Sequence, residues 1–407
     1  MINALRGMKD IIFEEGDKYL YFTQNCARIA ANYGFSYIST PILEETALFK
    51  RSVGESSDIV GKEMYQFTDK GGNDVCLRPE GTAGIVRSFI QNKFDKAGGV
   101  KRFFYYGPMF RYERPQKGRL RQFHQFGVES FGVSDVKEDA AVILMLSEML
   151  SFFGIKSVLK LNSLGCSKCM PSYRARLVRF LNDNDGLCED CLRRKILNPI
   201  RVFDCKNEHC QILLKGAPIL LNELCDECED EFKRLRAILT NFNIDYEIDP
   251  KLVRGLDYYS KTAFEFVSTE IGAQSSVAGG GRYDRLVEFL GGRSAPAVGF
   301  AIGIERLLEL IKMPSPQKCG VYIGILDERF FDFALKIAVE LRRKIKVYTD
   351  YEAKNPAKIL KNADRLGAKQ CILIGENEVK SGTVRIKNLE EKIEFEIDLD
   401  LLGEFQW

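Results

Sequence analysis

One helical pattern and several strand-like runs fill the first third of the chain. Between residues 16 and 33, apolar positions recur over a polar face and Gly34 follows, which predicts an amphipathic helix that ends there. The next segment, FSYISTPIL, alternates and is β-branched, so it predicts a strand. Because proline cannot donate a hydrogen bond to a neighbouring strand, Pro41 restricts this strand to a sheet edge or an interface.

Strand-like runs outnumber crossover helices in the segments that follow. This pattern favours a mostly antiparallel sheet in an α+β fold. A helix is predicted at 138–153 and a strand-to-helix passage at 296–312. The other strand-like runs are residues 102–113, 122–132, 263–268 and 275–284.

Two changes of pattern predict a division into domains. The segment from Cys166 to Cys228 holds eight of the twelve cysteines and reads as an insertion. After the proline-containing linker 313–317, strands and helices alternate as βαβαβ, which predicts a small α/β domain. We therefore expect a main domain in two parts, 1–165 and 246–312, with a cysteine-rich insertion at 166–245 and a C-terminal domain at 318–407.

Composition and charge exclude several classes of protein. The 407 residues carry 59 Lys plus Arg and 57 Asp plus Glu, a net charge of +2, so a nucleic-acid partner has to be bound by local basic patches. The two histidines, His124 and His209, exclude histidine-rich metal sites and recommend no Ser-His or Cys-His catalytic unit. The sequence shows no secretory signal and no uncharged run long enough to cross a bilayer, so we expect a cytoplasmic protein without a membrane partner.

An arginine-dense segment, residues 101–129, contains candidate binding residues. Two strand-like halves flank the polar loop RPQKGRLR, and they carry Arg111, Gln125 and Glu129 among aromatic residues. These groups would be costly to bury unpaired, so a charged or zwitterionic ligand is a natural partner. A solvated basic hairpin is the alternative.

Four shorter motifs add polar side chains or a close backbone approach. LRPEGTAG offers Glu80 and Thr82 on a loop, and LVRGLDYY combines an arginine suited to phosphate oxygens with two tyrosine hydroxyls. AGGGRYD either lets backbone approach a planar ligand or forms a tight turn, and it lacks the spacing of dinucleotide-binding and P-loop motifs. AVGFAIGIERLLELI sets Arg306 one turn into a helix, as a ligand-binding group or as a surface arginine.

Together these motifs resemble the histidyl-tRNA synthetases, a family of class II aminoacyl-tRNA synthetases. They occur in the order found in that family, over most of residues 5–165, 245–312 and 318–407. The resemblance implies an α+β catalytic domain with a mostly antiparallel sheet and a C-terminal anticodon-binding domain. It also implies ATP-dependent formation of histidyl-adenylate and transfer of L-histidine to the 3′ end of histidine tRNA, with Mg²⁺ on the phosphates. GFSYISTPILEE resembles motif 1 of class II enzymes, which implies a homodimer.

The resemblance assigns a role to individual residues. The α-amino group of histidine would be held by Glu80, Thr82 and Gln125. Its imidazole nitrogens would bond to Glu129 and Tyr259, beside Tyr258, and such polar partners reject isosteric apolar side chains.

The arginines would bind ATP. Arg111 and Arg254 would flank its α-phosphate and neutralise the charge that develops there, while Arg306 would hold the γ-phosphate. No general base is needed, because the attacking histidine carboxylate is already an anion. The remaining implied contacts are those of Arg119 and Tyr283 with ATP and of Gln116 and Arg121 with the acceptor end of the tRNA.

Local charge agrees with a tRNA-binding C-terminal domain. Ten Lys plus Arg stand against four Asp plus Glu between Lys336 and Lys369, whereas residues 376–404 carry nine acids and four bases. The basic patch fits phosphate contacts, although a solvated helix face would look the same.

The cysteine cluster departs from the best-known members of the family. Three CxxC pairs and a looser fourth pair are present, and the spacing of the first two is that of zinc ribbons. Eight thiolates are enough for two tetrahedral zinc sites, and unliganded packing thiols or redox use are the alternatives. How the pairs combine cannot be read from their spacing. The cysteines are Cys166, Cys169, Cys188, Cys191, Cys205, Cys210, Cys225 and Cys228.

Two other functions compete with the synthetase. One is a catalytically inactive paralogue that serves as the regulatory subunit of ATP phosphoribosyltransferase, which usually lacks the terminal domain and the arginines. Arg111, Arg254, Arg306 and the βαβαβ tail are all present, which favours the enzyme. The other, a zinc-dependent nucleic-acid binder, would leave these arginines without a role.

Overall fold

A computed structural model gives the fold and describes residues 2–54, 57–271, 276–313, 318–350 and 352–402. The chain divides into two compact units, Met1–Lys312 and Met313–Trp407. None of the helices in the described ranges combines the length and the apolar character that a membrane span requires.

A large sheet organises the first unit. Its strands run in the order β1-β5-β6-β11-β10-β9-β7-β8 and are antiparallel except at the two ends, where β1 pairs with β5 and β8 with β7 in parallel. A small antiparallel sheet, β2-β4-β3, lies in the same unit. The mostly antiparallel sheet predicted from the sequence is thus confirmed. The strands are β1 (Ser36–Tyr37), β2 (Leu43–Glu45), β3 (Tyr65–Thr68), β4 (Asp74–Leu77), β5 (Lys101–Phe110), β6 (Gln122–Phe131), β7 (Val158–Ser163), β8 (Tyr246–Ile248), β9 (Ser260–Val267), β10 (Ser276–Arg282) and β11 (Ala297–Gly303).

Helices cover one face of the large sheet and form the main apolar core with it. The helices of this unit are α1 (Phe13–Asn32), α2 (Thr46–Val53), α3 (Thr82–Gln91), α4 (Phe94–Ala97), α5 (Lys137–Phe152), α6 (Met170–Asn182), α7 (Glu189–Leu197), α8 (Glu208–Leu213), α9 (Asp226–Asn241), α10 (Leu286–Phe289) and α11 (Ile304–Leu308). The core unites the buried sides of α1, α5 and α9 with the valine, phenylalanine and isoleucine side chains of the central strands.

The other face of the central strands is nearly bare of side chains. Successive residues of a strand point to opposite faces, so on β11 the positions between the core residues fall on this second face. Strand pairing aligns them with small residues of β6 and β10, beside Glu129 and Gln125 of β6. The small residues of this face are Gly127, Gly279, Gly281, Gly299, Ala301 and Gly303.

The single strand predicted for FSYISTPIL is wrong in one respect. The segment forms two strands in two different sheets, Ser36–Tyr37 at the edge of the large sheet and Leu43–Glu45 in the small one. Pro41 lies between them, where the chain leaves one sheet for the other. The edge position predicted from this proline holds for β1.

Two acidic residues at the start of α5 serve as buried ion-pair partners. Asp139 pairs with Arg282 of β10, and both side chains are almost completely buried. Arg102 donates two bonds of 2.7 Å to the carboxylate of Glu138. These ion pairs connect α5 to the sheet. Acidic residues at the start of a helix do not by themselves indicate such partners in the sequence.

The segment predicted as an insertion is helical and has an apolar core of its own. That core joins the cysteines to side chains such as Tyr173, Leu177, Val202 and Leu214. Its last helix, α9, behaves differently, because Phe232, Leu235 and Leu239 belong to the main core. The helix therefore packs on the large sheet although it follows the cysteines directly in the chain.

The second unit contains a five-stranded sheet in the order β13-β12-β14-β15-β16. The predicted βαβαβ pattern is present, since β12, β13 and β14 are parallel. A final antiparallel hairpin, β15 and β16, was not predicted, although TVRIKN and EFEID both alternate in hydrophobicity. The elements are β12 (Val321–Ile325), α12 (Phe331–Leu341), β13 (Val347–Thr349), α13 (Pro356–Arg365), β14 (Gln370–Ile374), α14 (Glu376–Ser381), β15 (Thr383–Asn388) and β16 (Glu394–Asp398).

Candidate active site

A cavity of about 180 Å³ lies over the bare face of the large sheet. Its walls come from the loop before α3, the loop between β5 and β6, the segment before β9 and the start of α11. The predicted site residues that line it are Glu80, Thr82, Arg111, Arg119, Gln125, Arg254, Tyr258, Tyr259 and Arg306. Residues far apart in the sequence thus meet in one place.

Glu129 is buried beneath the cavity and is the most strongly perturbed carboxylate of the predicted site. Thr82 Oγ1 donates a bond of 2.6 Å to its Oε1, and the Tyr283 hydroxyl donates to its Oε2. Burial raises the pKa of Glu129 to about 8 against the opposing effect of these donors. A Cβ at position 299 would lie 2.0 Å from Oε2, so only glycine leaves room for the carboxylate.

The PEGT loop is held together by its own glutamate. The carboxylate of Glu80 accepts bonds of 2.7 and 2.9 Å from the backbone N–H groups of Thr82 and Ala83, at the start of α3. Gln125, across the cavity on β6, keeps its buried Oε1 without a hydrogen-bond partner among the described residues. An unpaired buried acceptor is costly, so this oxygen marks a place for a ligand donor.

The LVRGLDYY segment brings an arginine and two tyrosines to the opposite wall. Arg254 Nη1 donates a bond of 2.9 Å to Glu265 of β9, and its guanidinium lies 5.9 Å from the ring centre of Tyr259. A Cβ at Gly279 would lie 2.3 Å from that Nη1 atom. The arginine therefore rests on a glycine of the sheet floor.

Three further arginines gather at the other end of the cavity. Arg111 follows β5 and donates a bond of 2.9 Å from Nε to the carbonyl of Pro79. Arg306 donates to the carbonyls of Gly118 and Ser276 at 3.1 and 2.9 Å. Burial lowers the pKa of Arg306, and the charges of Arg119 and Arg111 lower it further. Such a crowd of cations favours an anionic ligand.

Besides Glu129, three predicted contacts lie outside the cavity wall. Tyr283 is buried behind it, with its hydroxyl on Glu129. Gln116 lies exposed in the loop after β5, where it bridges to Arg119, and the Arg121 guanidinium stacks 3.8 Å from the ring centre of Tyr112. The first is placed to orient Glu129, and the other two lie on the loop at the rim.

Some residues of the site escaped the sequence analysis. Glu113 lines the cavity and pairs with Arg119 at 2.5 Å, while Glu265 binds both Arg254 and the Ser276 hydroxyl. Both are acids next to arginines of the predicted motifs. A search for the buried partner of each predicted arginine would have pointed to such residues, because buried charges are seldom left unpaired.

The eight cysteines form two compact groups. The four sulfur atoms of Cys166, Cys169, Cys225 and Cys228 lie within 4.8 Å of one another, and so do those of Cys188, Cys191, Cys205 and Cys210. The first CxxC pair therefore combines with the last, whereas the zinc-ribbon spacing would have joined it to the second. Each group therefore offers four sulfur ligands, enough for one four-coordinate metal site.

Comparison with known proteins agrees with this geometry. The family model described as histidyl-tRNA synthetase matches residues 7–307, and the anticodon binding domain model matches residues 318–405. The histidine–tRNA ligase of Campylobacter fetus subsp. fetus (strain 82-40) is 61% identical over 99% of this chain and 100% of its own length. That of Sulfurimonas denitrificans is 62% identical over 97% of this chain and 98% of its own length.

A solved structure supports the same assignment. The crystal structure of apo S. aureus histidyl-tRNA synthetase has a TM-score of 0.83 and 35% sequence identity, and the match covers 99% of each chain. The resemblance inferred from the motifs is confirmed over both units, and the chain belongs to the histidyl-tRNA synthetase family.

Proposed function

We propose that this chain activates L-histidine with ATP in the cytoplasm and transfers it to the 3′ end of histidine tRNA. An oxygen of the histidine carboxylate attacks the α-phosphorus of ATP, the bond to the bridging oxygen breaks, and pyrophosphate leaves. A hydroxyl of the terminal tRNA ribose then attacks the carbonyl carbon of histidyl-adenylate, and AMP leaves. The observation that carries the proposal is a single cavity in which Gln125, Arg254 and Arg306 surround a buried carboxylate, in a chain of this family.

The extent of the relatives favours this activity over the regulatory alternative. Histidine–tRNA ligases match the chain over nearly its whole length, including the C-terminal unit. The arginines that a regulatory paralogue would lose line the cavity. The chain is therefore an enzyme.

The amino end of histidine lies, in this proposal, between Glu80, Thr82 and Gln125. An ammonium group donates three hydrogen bonds, and the unpaired Oε1 of Gln125 is a ready acceptor. Glu80 contributes negative charge to the same wall, although burial raises its pKa. The imidazole then extends toward Glu129 and Tyr259, past Tyr258.

The arginines act on the phosphates. Arg254 and Arg111 flank the α-phosphate, where negative charge grows in the transition state, and Arg306 with Arg119 binds the distal phosphates. Backbone carbonyls accept hydrogen bonds from Arg111 and Arg306 and help to hold both guanidinium groups at the cavity. Tyr283 acts through Glu129 rather than on ATP directly.

Mg²⁺ accompanies ATP in class II synthetases, and the donors of this cavity suit it. The ion prefers oxygen ligands and is usually bound by substrate phosphates together with one or two carboxylates. Glu113 and Glu265, the acids beside the arginines, would hold it. When bound, the ion neutralises phosphate charge.

Two separate regions of the chain bind the tRNA. Gln116 and Arg121, on the loop at the cavity rim, contact its acceptor end. The C-terminal unit belongs to the anticodon-binding domains, and the basic residues between Lys336 and Lys369 supply phosphate contacts there.

A homodimer forms through the edge of the large sheet. Tyr37 on β1 is exposed, as are Tyr106 beside it and three apolar residues of the small sheet and its approach, Ile42, Leu43 and Phe67. Apolar side chains along an unpaired edge favour association with a second copy. We expect light scattering at micromolar concentration to give the mass of two chains, and the mass of one chain would contradict the proposal.

Structural zinc occupies the two cysteine groups. Four sulfurs at a Zn–S distance of 2.3 Å in a tetrahedron lie about 3.8 Å apart. The sulfur pairs Cys166–Cys169, Cys166–Cys225 and Cys188–Cys205 are 3.8, 3.8 and 3.7 Å apart. Backbone N–H groups also point at the sulfurs, as from Cys225 to Cys169 and from Cys188 to Cys210, and such bonds favour thiolates.

Substitution of Arg254 tests the catalytic assignment. Arg254→Ala should lower kcat for histidine-dependent pyrophosphate exchange about 100- to 1000-fold and leave the KM for histidine nearly unchanged, because the lost charge acts in the transition state. Arg234→Ala, which removes an exposed partner of Asp135, is the control. Exchange assays with each of the twenty amino acids test the function, and near-normal exchange by Arg254→Ala would refute its role.

Glu129→Gln tests the recognition of imidazole. Measured at pH 9, where Glu129 is ionised, the KM for histidine should rise roughly 10- to 150-fold and the KM for ATP should stay nearly constant, since a hydrogen bond to a charged group contributes about 1.5–3 kcal/mol. Glu148→Gln, at a carboxylate that accepts from the Tyr33 hydroxyl, is the control. Equal losses for histidine and ATP would instead indicate a general structural defect.

The same variant has a pH signature. Below about pH 8 Glu129 takes up a proton and loses acceptor strength, so kcat/KM for histidine in the parent enzyme should rise with pH through this range. Glutamine does not titrate, so the ratio of parent to Glu129→Gln should increase from pH 6.5 to 9. If the ratio of the two kcat/KM values stayed constant with pH, the carboxylate of Glu129 would not be the group that hydrogen-bonds the imidazole.

Metal content tests the zinc sites. Protein purified under reducing conditions without chelator should carry two equivalents of zinc, and Cys188→Ser should carry one. Cys319→Ser, which replaces an exposed cysteine outside both groups, should keep both equivalents. Metal-free protein that melts as one cooperative unit would refute structural zinc.

A further inference from the structure

The second cysteine group encloses a short segment that reaches the catalytic part of the chain. Cys188 and Cys191 precede or open α7, and Cys205 and Cys210 follow the helical turn Pro199–Asp204. A metal bound to these four sulfurs would fix both ends of the segment 192–204. Fixing both ends of so short a segment leaves it little conformational freedom.

One bridge from this segment ends on Asp58. Arg193 and Arg194 each place Nη2 2.9 Å from an oxygen of its carboxylate. Arg194 is buried, whereas Asp58 and Arg193 are partly exposed. The bridge fixes the segment beside the end of α2.

A second bridge ends on Asp257, the residue before Tyr258 and Tyr259. Asn198 Nδ2 donates a bond of 3.0 Å to Asp257 Oδ1, and Arg201 Nη1 lies 3.4 Å from the same oxygen. The backbone N–H of Asp257 donates to Val53 at 3.2 Å. A Cβ at Gly54 would lie 2.3 Å from Asp257 Oδ2, so the carboxylate is enclosed on that side as well.

The buried arginine of this bridge is fixed from the metal side. Arg201 is 4% exposed, and its Nε lies 3.0 Å from Asp204 Oδ2, next to Cys205. A charged side chain in such surroundings is retained only with its partners in place. The route from the cysteine group to the histidine-binding tyrosines therefore consists of Cys205, Asp204, Arg201 and Asp257.

We propose that Asn198 and Arg201 are positioning residues for histidine binding, held in place by the metal of the second cysteine group and acting through Asp257 on Tyr258 and Tyr259. The inference rests on the proposed function and on the proposed zinc. Displacement of groups in an active site by about 1 Å costs on the order of 100-fold in rate, so a loosened Asp257 would weaken the reading of histidine. Arg111, Arg119 and Arg306 lie on other elements and keep their places, so ATP binding is retained although Arg254 shares the segment of Asp257.

Arg201→Ala tests the proposal by the split between the two substrates. We expect kcat/KM for histidine to fall about 10- to 100-fold through a raised KM, with the KM for ATP unchanged and two zinc equivalents retained. Cys188→Ser should show the same rise in KM together with the loss of one equivalent. Arg176→Ala, which removes an arginine paired with Glu223 inside the insertion, is the matched control and should resemble the parent enzyme.

Two further measurements separate positioning from folding. Asn198→Ala removes only one hydrogen bond, from an uncharged donor to Asp257, and should raise the KM for histidine without lowering the melting temperature. Arg201→Lys should restore part of the kcat/KM for histidine that Arg201→Ala loses. An unchanged KM for histidine in both Asn198→Ala and Arg201→Ala would overturn the proposal, as would a fall in kcat alone. A failure of the proposed function is distinguishable, because the parent enzyme itself would then show no histidine-dependent exchange.

Discussion

The burial of Glu129 on a sheet face made mostly of glycine and alanine is the constraint on which this site depends. Gly299 beneath the carboxylate and Gly279 beneath Arg254 leave no room for a Cβ, so the floor of the cavity is backbone. Burial in such a place raises the pKa of the carboxylate, and the hydroxyls of Thr82 and Tyr283 offset part of the cost. The glycines of AGGGRYD and AVGFAIG thereby make room for the side chains of Arg254 and Glu129.

The arginine end of the cavity follows the opposite principle. At the end near Glu129, uncharged hydroxyl groups donate hydrogen bonds to a single carboxylate. At the other end, the positive charges of Arg119 and Arg111 add to burial in lowering the pKa of Arg306. The repulsion among these three arginines destabilises the empty site, and a bound anion would relieve it. The two ends of the cavity thus differ in charge, which is the difference that the proposed placement of a zwitterionic amino acid at one end and a triphosphate at the other requires.

Local patterns predicted only part of the regular elements, and contacts distant in sequence decided several features that they missed. Alternation and helical periodicity gave α1, α5 and the central strands to within a few residues, because those signals depend on one buried face. The split of FSYISTPIL between two sheets and the packing of α9 on the main core depend on partners elsewhere in the chain. At the site, motif resemblance named the residues that line the cavity, but it could not place Tyr283 behind Glu129 or identify Glu265 as the partner of Arg254.

The pairing of the cysteines is another feature that local sequence patterns could not predict, and the structure gives the physical reason. Spacing left the combination of the pairs open, and the first pair meets the last because α9 returns to the sheet and brings Cys225 and Cys228 with it. The middle pairs are left to close on each other around the segment that carries Arg194 and Arg201. A segment of that length buries few apolar side chains, so long polar side chains can act from it at a defined position only when its ends are cross-linked. In the proposed arrangement, a metal bound to the four thiolates would give this segment the rigidity that a larger apolar core gives elsewhere, and it would hold the buried arginines in position.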